Sequence, residues 1–515
     1  MLPSSLRSLH ISPEAQDALR RYAPQAVGGG VLVLVGWCIG KFIKTLIDST
    51  KPLPFPGPKG VPFFGMALEL DEEKALACMR VWNKQYGKTI AFRVFGTPYV
   101  VTQKNDTIRT LMKDRAKGFY VRHFNYLRFL PKSGMFLTEG DQWKANRKAA
   151  EPALVESVAD KMVPVMSQMS KRMVNCISTL ADPSGSIIEW VPHKWFRRCT
   201  LDFTLATHYG KDYNLQNPLD MRKAEERDIA YNAVQGFLDA IDYVFKHTPL
   251  APFIQDRYPF KFNPSVAKFY KSIKNVESYS AKIIDDREKE LSAGAEPRED
   301  VLDKLIKMHK GDLTWNLVSF VLAGSASASA TMEWFIYLMC VNREAQDVAR
   351  KEIDALGKDV TTADDLKKLP YVEACMLEVL RVQSSTPGPL PSVVVAPYSI
   401  EGKPVEPGTI VIMMMDEAMR SEERGGETFR PENWFLPGTR EINRDLYRDH
   451  WAFSTGPRKC PGQAVAVREC VVMAATLLRH FDNMHFTIGY DDVKETMWLN
   501  RVPANLKVDM KVREF

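Results

Sequence analysis

The chain has 515 residues, 45% of them apolar and 26% charged, which fits a folded globular protein and excludes wholesale disorder. Its net charge of +6 is too mild to imply nucleic acid as a partner. The eight cysteines are scattered, with no C-x-x-C pair and no zinc-type spacing, so a disulfide framework is not expected and the protein should be reduced and cytosol-facing.

Residues 1–25 are polar and mixed in charge, and the acids Glu14 and Asp17 argue against a mitochondrial transit peptide. The apolar run from Ala26 to Gly40 is short for a spanning helix. If Lys41 and Lys44 snorkel, the span extends to Ile47, so residues 26–47 are expected to form a single N-terminal membrane anchor. The prolines at 52, 54, 56, 58 and 62 cannot continue a helix, and residues 48–65 are expected to act as a semi-rigid hinge. A catalytic body over 66–515 follows.

Within that body, Glu72–Tyr86 has helical spacing, and Thr89–Thr102 alternates around Gly96-Thr97-Pro98 as a hairpin would. Phe119–Leu130 is aromatic and irregular, as a lid or substrate-contact segment could be. Trp143 and Arg147 stand at i and i+4, hence on one helix face. Residues 158–310 read as a long helical tract interrupted by prolines and carry little functional signal.

Leu313–Cys340 lacks proline, is broadly apolar and is long enough for a central buried helix. Inside it the run from Ala323 to Thr331 is made of small residues only, and Ala323, Ser327 and Thr331 share a face with Gly324 beside them. Such a face admits a flat, bulky ligand or a close helix–helix crossing. Glu378 and Arg381 form an i,i+3 pair on the helix Tyr371–Val382. Val393–Val395 and Ile410–Met415 read as strands, and the chain closes on a set of short strands over 482–515.

The densest signal is Phe453-Ser454-Thr455-Gly456-Pro457-Arg458-Lys459-Cys460-Pro461-Gly462. Gly456-Pro457 reads as a tight turn, Gly462 lets a ligand approach, and the apolar run Ala464–His480 reads as a helix. A cysteine just ahead of a helix start is biased toward thiolate. By shape alone Cys460 is an axial metal ligand or an inert buried cysteine.

Spelled out, Phe-x-x-Gly-x-Arg-x-Cys-x-Gly resembles the haem-binding signature of the cytochrome P-450 family, microsomal eukaryotic type. Trp143/Arg147, Ala323-Gly324, Glu378/Arg381, Pro431-Glu432 and the cysteine loop occur in that family's order. The resemblance implies a mainly α fold with a smaller β region, haem b lying between the central helix and the cysteine loop. It implies Cys460 as the metal ligand and Trp143, Arg147, Phe453, Arg458 and Gly462 as haem contacts. Ala323, Gly324 and Ser327 would form the catalytic face, and Glu378 with Arg381 a structural ion pair. It further implies a monomeric monooxygenase on the endoplasmic reticulum membrane, taking O2, a lipophilic substrate such as a fatty acid, sterol or terpenoid, and electrons from NADPH through a reductase. Lys144, Lys148, Lys459 and Arg468 would form the reductase docking patch.

Three positions depart from the family. The central helix has Ala326 where an acid is usual and Ser327 where threonine is usual. Glu333, seven residues on, is ~10 Å away along the helix and cannot replace that acid. Asn433 stands where many relatives carry an arginine, and no Arg or His lies near Ser392–Val393. The missing acid also motivates a second expectation, a haem-thiolate isomerase, dehydratase or peroxygenase of lipid hydroperoxides. A third is a haem-binding protein without catalysis.

Overall fold

The computed structural model describes residues 36–514 except 38, 71–74, 123–132, 217–223, 248–263, 299, 309–311, 389–390, 488, 490–491 and 498–499. Most of the mass is helical, and the described residues form four small sheets. The central helix, Leu313–Val341, is capped by Asp312, whose carboxylate accepts the Trp315 amide at 2.9 Å. It is apolar all round, as a helix buried on most sides must be. It packs on Glu156–Ser178 through Pro192–His208 and on Gln463–His480 directly, and together these form the main core.

The larger sheet runs in the order Thr89–Val94, Thr97–Thr102, Ile410–Met413, Ser392–Val394, Tyr120–Arg122. The predicted hairpin is present, but its turn is Phe95-Gly96 rather than residues 96–98. Both residues have positive φ (47° and 75°), the geometry whose twist suits a two-residue hairpin. Pro98 is tolerated because pairing with Ile410–Met413 starts only at Tyr99. The strand expected over 410–415 ends at Met413. A short helix, Met415–Met419, takes over, its Asp416 amide donating to the Pro387 carbonyl at 2.9 Å.

The proline-rich segment lies against this sheet. The Ala91 amide donates to the Pro56 carbonyl at 3.0 Å, Phe55 is buried in the sheet's core, and a Cβ on Gly57 would meet the Ala91 carbonyl oxygen at 2.0 Å. The segment is therefore clamped to the body instead of standing free of it.

Most of the expected anchor lies outside the described residues, which begin at 36. The helical stretch over 39–50 belongs to it in part. Phe42 packs its ring 4.8 Å from that of Phe63, and Thr45 lies beside Gly96. Among the described residues no helix is long and apolar enough to cross a membrane. The aromatic segment expected over 119–130 begins as the strand Tyr120–Arg122, and its remainder lies outside the described residues.

Candidate active site

Backbone geometry fixes the cysteine loop. Ser454 holds φ at 59°, a conformation a side chain rarely adopts, and Gly456 holds φ at 70°. A Cβ on Gly456 would lie 2.9 Å from the Met112 carbonyl oxygen, so the turn needs glycine twice over. The Cys460 amide donates to the Phe453 carbonyl at 2.8 Å and closes the loop just ahead of the helix Gln463–His480.

Two features favour a Cys460 thiolate: the amides of Gly462 and Gln463, which bond to the sulfur, and the nearby Arg147 guanidinium. Burial opposes them and wins, so the thiol is pushed above its ordinary value. The thiolate bias expected from the helix start is real but insufficient alone. A coordinated cation, which deprotonates a thiol outright, is what would tip it.

Beside the loop, arginines gather around very few acids. The buried Arg458 guanidinium stacks 4.0 Å from the Trp143 ring, donates to the Thr138 carbonyl at 2.7 Å and pairs with Glu139. Arg122 donates to the Phe136 carbonyl at 2.6 Å, and its amide donates to Glu139 at 3.1 Å. Arg115 lies 3.7 Å from the same carboxylate. Burial, then the neighbouring guanidiniums, push Arg122 down to about 9. Arg458 falls to about 10, chiefly through burial, despite the attraction of Glu139. Both keep a buried donor without a hydrogen-bond partner among the described residues, Nη1 of Arg458 and Nε of Arg122.

Arg147 reaches the loop but is otherwise engaged. Its Nη1 donates to the Lys459 carbonyl at 2.8 Å, while Nε and Nη2 bind Glu151 at 3.1 and 2.8 Å. It pins the backbone next to Cys460. Arg122 occupies a place that sequence reasoning left without a cation. Its strand pairs with Ser392–Val394 so that Arg122 stands opposite Ser392, and the cation absent from 392–393 is supplied from the neighbouring strand. The signal for it, one arginine early in the aromatic stretch over 119–130, could not be read without the register.

On the central helix, residues 315–322 and 328–336 are buried throughout, whereas Ala323 is exposed and Gly324, Ala326 and Ser327 are partly so. The small-residue face thus borders open space midway along a buried helix. Ser327 donates to its own helix, to the Ala323 carbonyl at 2.6 Å. Glu333 is turned away to His193 Nδ1, 2.9 Å off, as its distance from Ala326 required.

Glu378 and Arg381 are buried and doubly hydrogen-bonded, at 2.8 and 2.7 Å. Arg381 also donates to the carbonyls of Met419, Gly426 and Thr428. Trp434 Nε1 and the Arg430 amide, at 2.8 and 2.9 Å from Glu378, complete the network without help from Asn433.

These features agree with comparison to known sequences. The Cytochrome P450 family profile matches residues 55–494. The chain belongs to the cytochrome P450 family. Members are haem monooxygenases, so this P450 is an oxidoreductase; the family's cofactor is haem b on a cysteine thiolate, with O2 and with NADPH electrons delivered by a reductase. The chain is 23% identical to Cytochrome P450 1A1 of Rattus norvegicus, covering 88% of this chain and 89% of that one. It is 25% identical to Cytochrome P450 3A6 of Oryctolagus cuniculus, covering 84% and 86%. It is 22% identical to a Bifunctional cytochrome P450/NADPH--P450 reductase of Aspergillus oryzae over 84% of this chain, which spans only 39% of that fusion.

The residues present fit a haem. Arg122 and Arg458 retain buried cationic donors suited to carboxylates, the central helix opens at its smallest residues, and a Cβ on Gly462 would meet only the Cys460 sulfur, at 3.9 Å.

Proposed function

We propose that this P450 is a reductase-dependent, membrane-associated monooxygenase of a lipophilic small molecule, with Cys460 as the iron ligand. The observation that carries the haem assignment is the group of guanidiniums about Glu139 beside the cysteine loop. Arg122 and Arg458 would bind the haem propionates, with Trp143 holding Arg458 in place by stacking. Arg147 would fix the ligand loop through the Lys459 carbonyl. Phe453 would shield the sulfur, and Ala323, Gly324 and Ser327 would line the oxygen- and substrate-binding face. Bound there, the haem supplies the iron that activates O2.

Membrane association is supported by the apolar run over 26–40 and by exposed apolar side chains around it, Trp37, Ile39, Ile43 and Ile47 on the first helical stretch and Val61, Phe64 and Leu68 on the body, Leu68 at 70% exposure. The endoplasmic reticulum, with the body in the cytosol, suits a reduced protein with such a face. For reductase docking, Lys148 and Lys459 are exposed, Lys144 is paired with Asp141 at the surface, and Arg468 is held by Asp160 at 2.7 Å. The patch thus rests on the lysines more than on Arg468.

The deciding experiment is a reduced carbon-monoxide difference spectrum of the wild type and Cys460→Ser. The thiolate band should be present in the first and lost in the second; its absence from the wild type overturns the assignment. Ala326 favours a second reading, rearrangement of a lipid hydroperoxide. Rapid product from such a hydroperoxide without reductase, together with no NADPH-dependent oxidation, would establish it instead.

A further inference from the structure

The family's usual acid is absent at Ala326, yet a buried polar column starts from the same helix face one turn on. Thr331 Oγ1 bonds the Ser327 carbonyl at 2.9 Å and the Ser385 hydroxyl at 3.0 Å. The Ser385 carbonyl accepts the Arg501 amide at 2.8 Å. Arg501 and Asp416, each fully buried, meet through Nη1 and Oδ2 at 3.3 Å, and Arg80 and Arg420 reach the same Oδ2 at 3.1 and 3.2 Å.

Three guanidiniums therefore share one carboxylate oxygen, while Asp416 Oδ1 and Arg501 Nε and Nη2 have no hydrogen-bond partner among the described residues. Orphaned donors and an orphaned acceptor on two touching, fully buried groups make a polar site that can hold water with several partners. At the other end the column nears solvent. Arg80 and Glu495, 3.5 Å apart, have side chains 24% and 34% exposed, and Glu495 is 3.8 Å from Arg501.

We propose that Asp416, Arg501, Ser385 and Thr331 hold a chain of internal waters that carries protons from solvent near Arg80 and Glu495 to the Ser327 face. The proposal rests on the monooxygenase reading. In that reaction NADPH, through the reductase, supplies two electrons and O2 is reduced. One oxygen atom enters the substrate, and the other leaves as water with two protons drawn from solvent. Asp416, bonded by three guanidiniums, orders the waters; the hydroxyls of Ser385 and Thr331 pass the protons on.

A high-resolution crystal structure of the haem-loaded protein tests this without reference to turnover. Waters bonded to Arg501 Nε and Nη2, to Asp416 Oδ1 and onward to Ser385 are expected. A dry, direct two-bond pairing of Arg501 with Asp416 overturns the proposal. Asp416→Asn removes the anion that three guanidiniums share and threatens folding, so Ser385→Ala is the functional probe. It should lower reductase-supported NADPH consumption roughly tenfold, raise the share of electrons released as hydrogen peroxide, and change the solvent deuterium isotope effect, with Ser385→Thr restoring all three. Unchanged values in Ser385→Ala overturn the relay. Its carbon-monoxide spectrum should match wild type, so loss of the relay stays distinguishable from loss of the haem-thiolate reading.

Discussion

The cysteine side of the site and the small-residue side are built on opposite plans. Around Cys460 the protein concentrates charge: Arg115, Arg122 and Arg458 about Glu139, Arg147 on Glu151, and Glu378 with Arg381 behind them. Around Ala323–Ser327 it places alanines and serines, and His208, packed against Phe320 one turn earlier on the central helix, is pushed by burial down to about 4 and is therefore neutral. The charged side fixes a ligand's position, since hydrogen bonds to ions are directional and costly to leave unmade. The small-residue side leaves room beside the central helix.

The contrast breaks most severely at Glu378. Glu378→Ala leaves Arg381 buried and unpaired and should cost about 3–5 kcal/mol, read as a lowered urea midpoint or as failure to fold. Next in size, Arg122→Ala and Arg458→Ala should each weaken haem retention roughly tenfold, about 1.4 kcal/mol, read as faster haem transfer to an excess of apomyoglobin. Retention unchanged from wild type in both variants would mean that the guanidiniums serve only Glu139.

On the neutral side the sign reverses. A histidine whose folded pKa is depressed contributes stability above its ordinary value near 6.5, and that contribution is lost as pH falls toward 4. His208→Gln should therefore flatten the fall in unfolding free energy between about pH 6.5 and 4. The smallest effect belongs to the surface. Charge reversal at Lys144 and Lys148 should weaken reductase-supported turnover severalfold in a salt-dependent way and spare peroxide-supported turnover.

Legibility in the sequence follows the same divide. The cysteine loop, the Glu378/Arg381 pair and the central helix were all readable, because each is a local pattern whose chemistry needs fixed spacing. Arg122 and Trp434 were not, since their roles come from pairing with Ser392 and with Glu378, contacts 270 and 56 residues apart by number. Arg147 was readable as a residue beside the cysteine loop, but its bonds to Glu151 and the Lys459 carbonyl were not. The Arg501–Asp416 column was invisible for the same reason as Arg122: its members lie on four separate segments.

The clamped proline segment has a mechanical consequence. With the Pro56 carbonyl on the Ala91 amide, Phe55 in the core and Phe42 packed at a tilt on Phe63, a pull or tilt applied at residue 40 reaches the first sheet through a stiff lever instead of being absorbed by a tether. That sheet carries Arg122 on its far edge strand. The attitude imposed on the N-terminal helix is thus transmitted to the same framework that carries Arg122, and shortening the chain to residue 66 would cut that linkage and uncover the sheet's core.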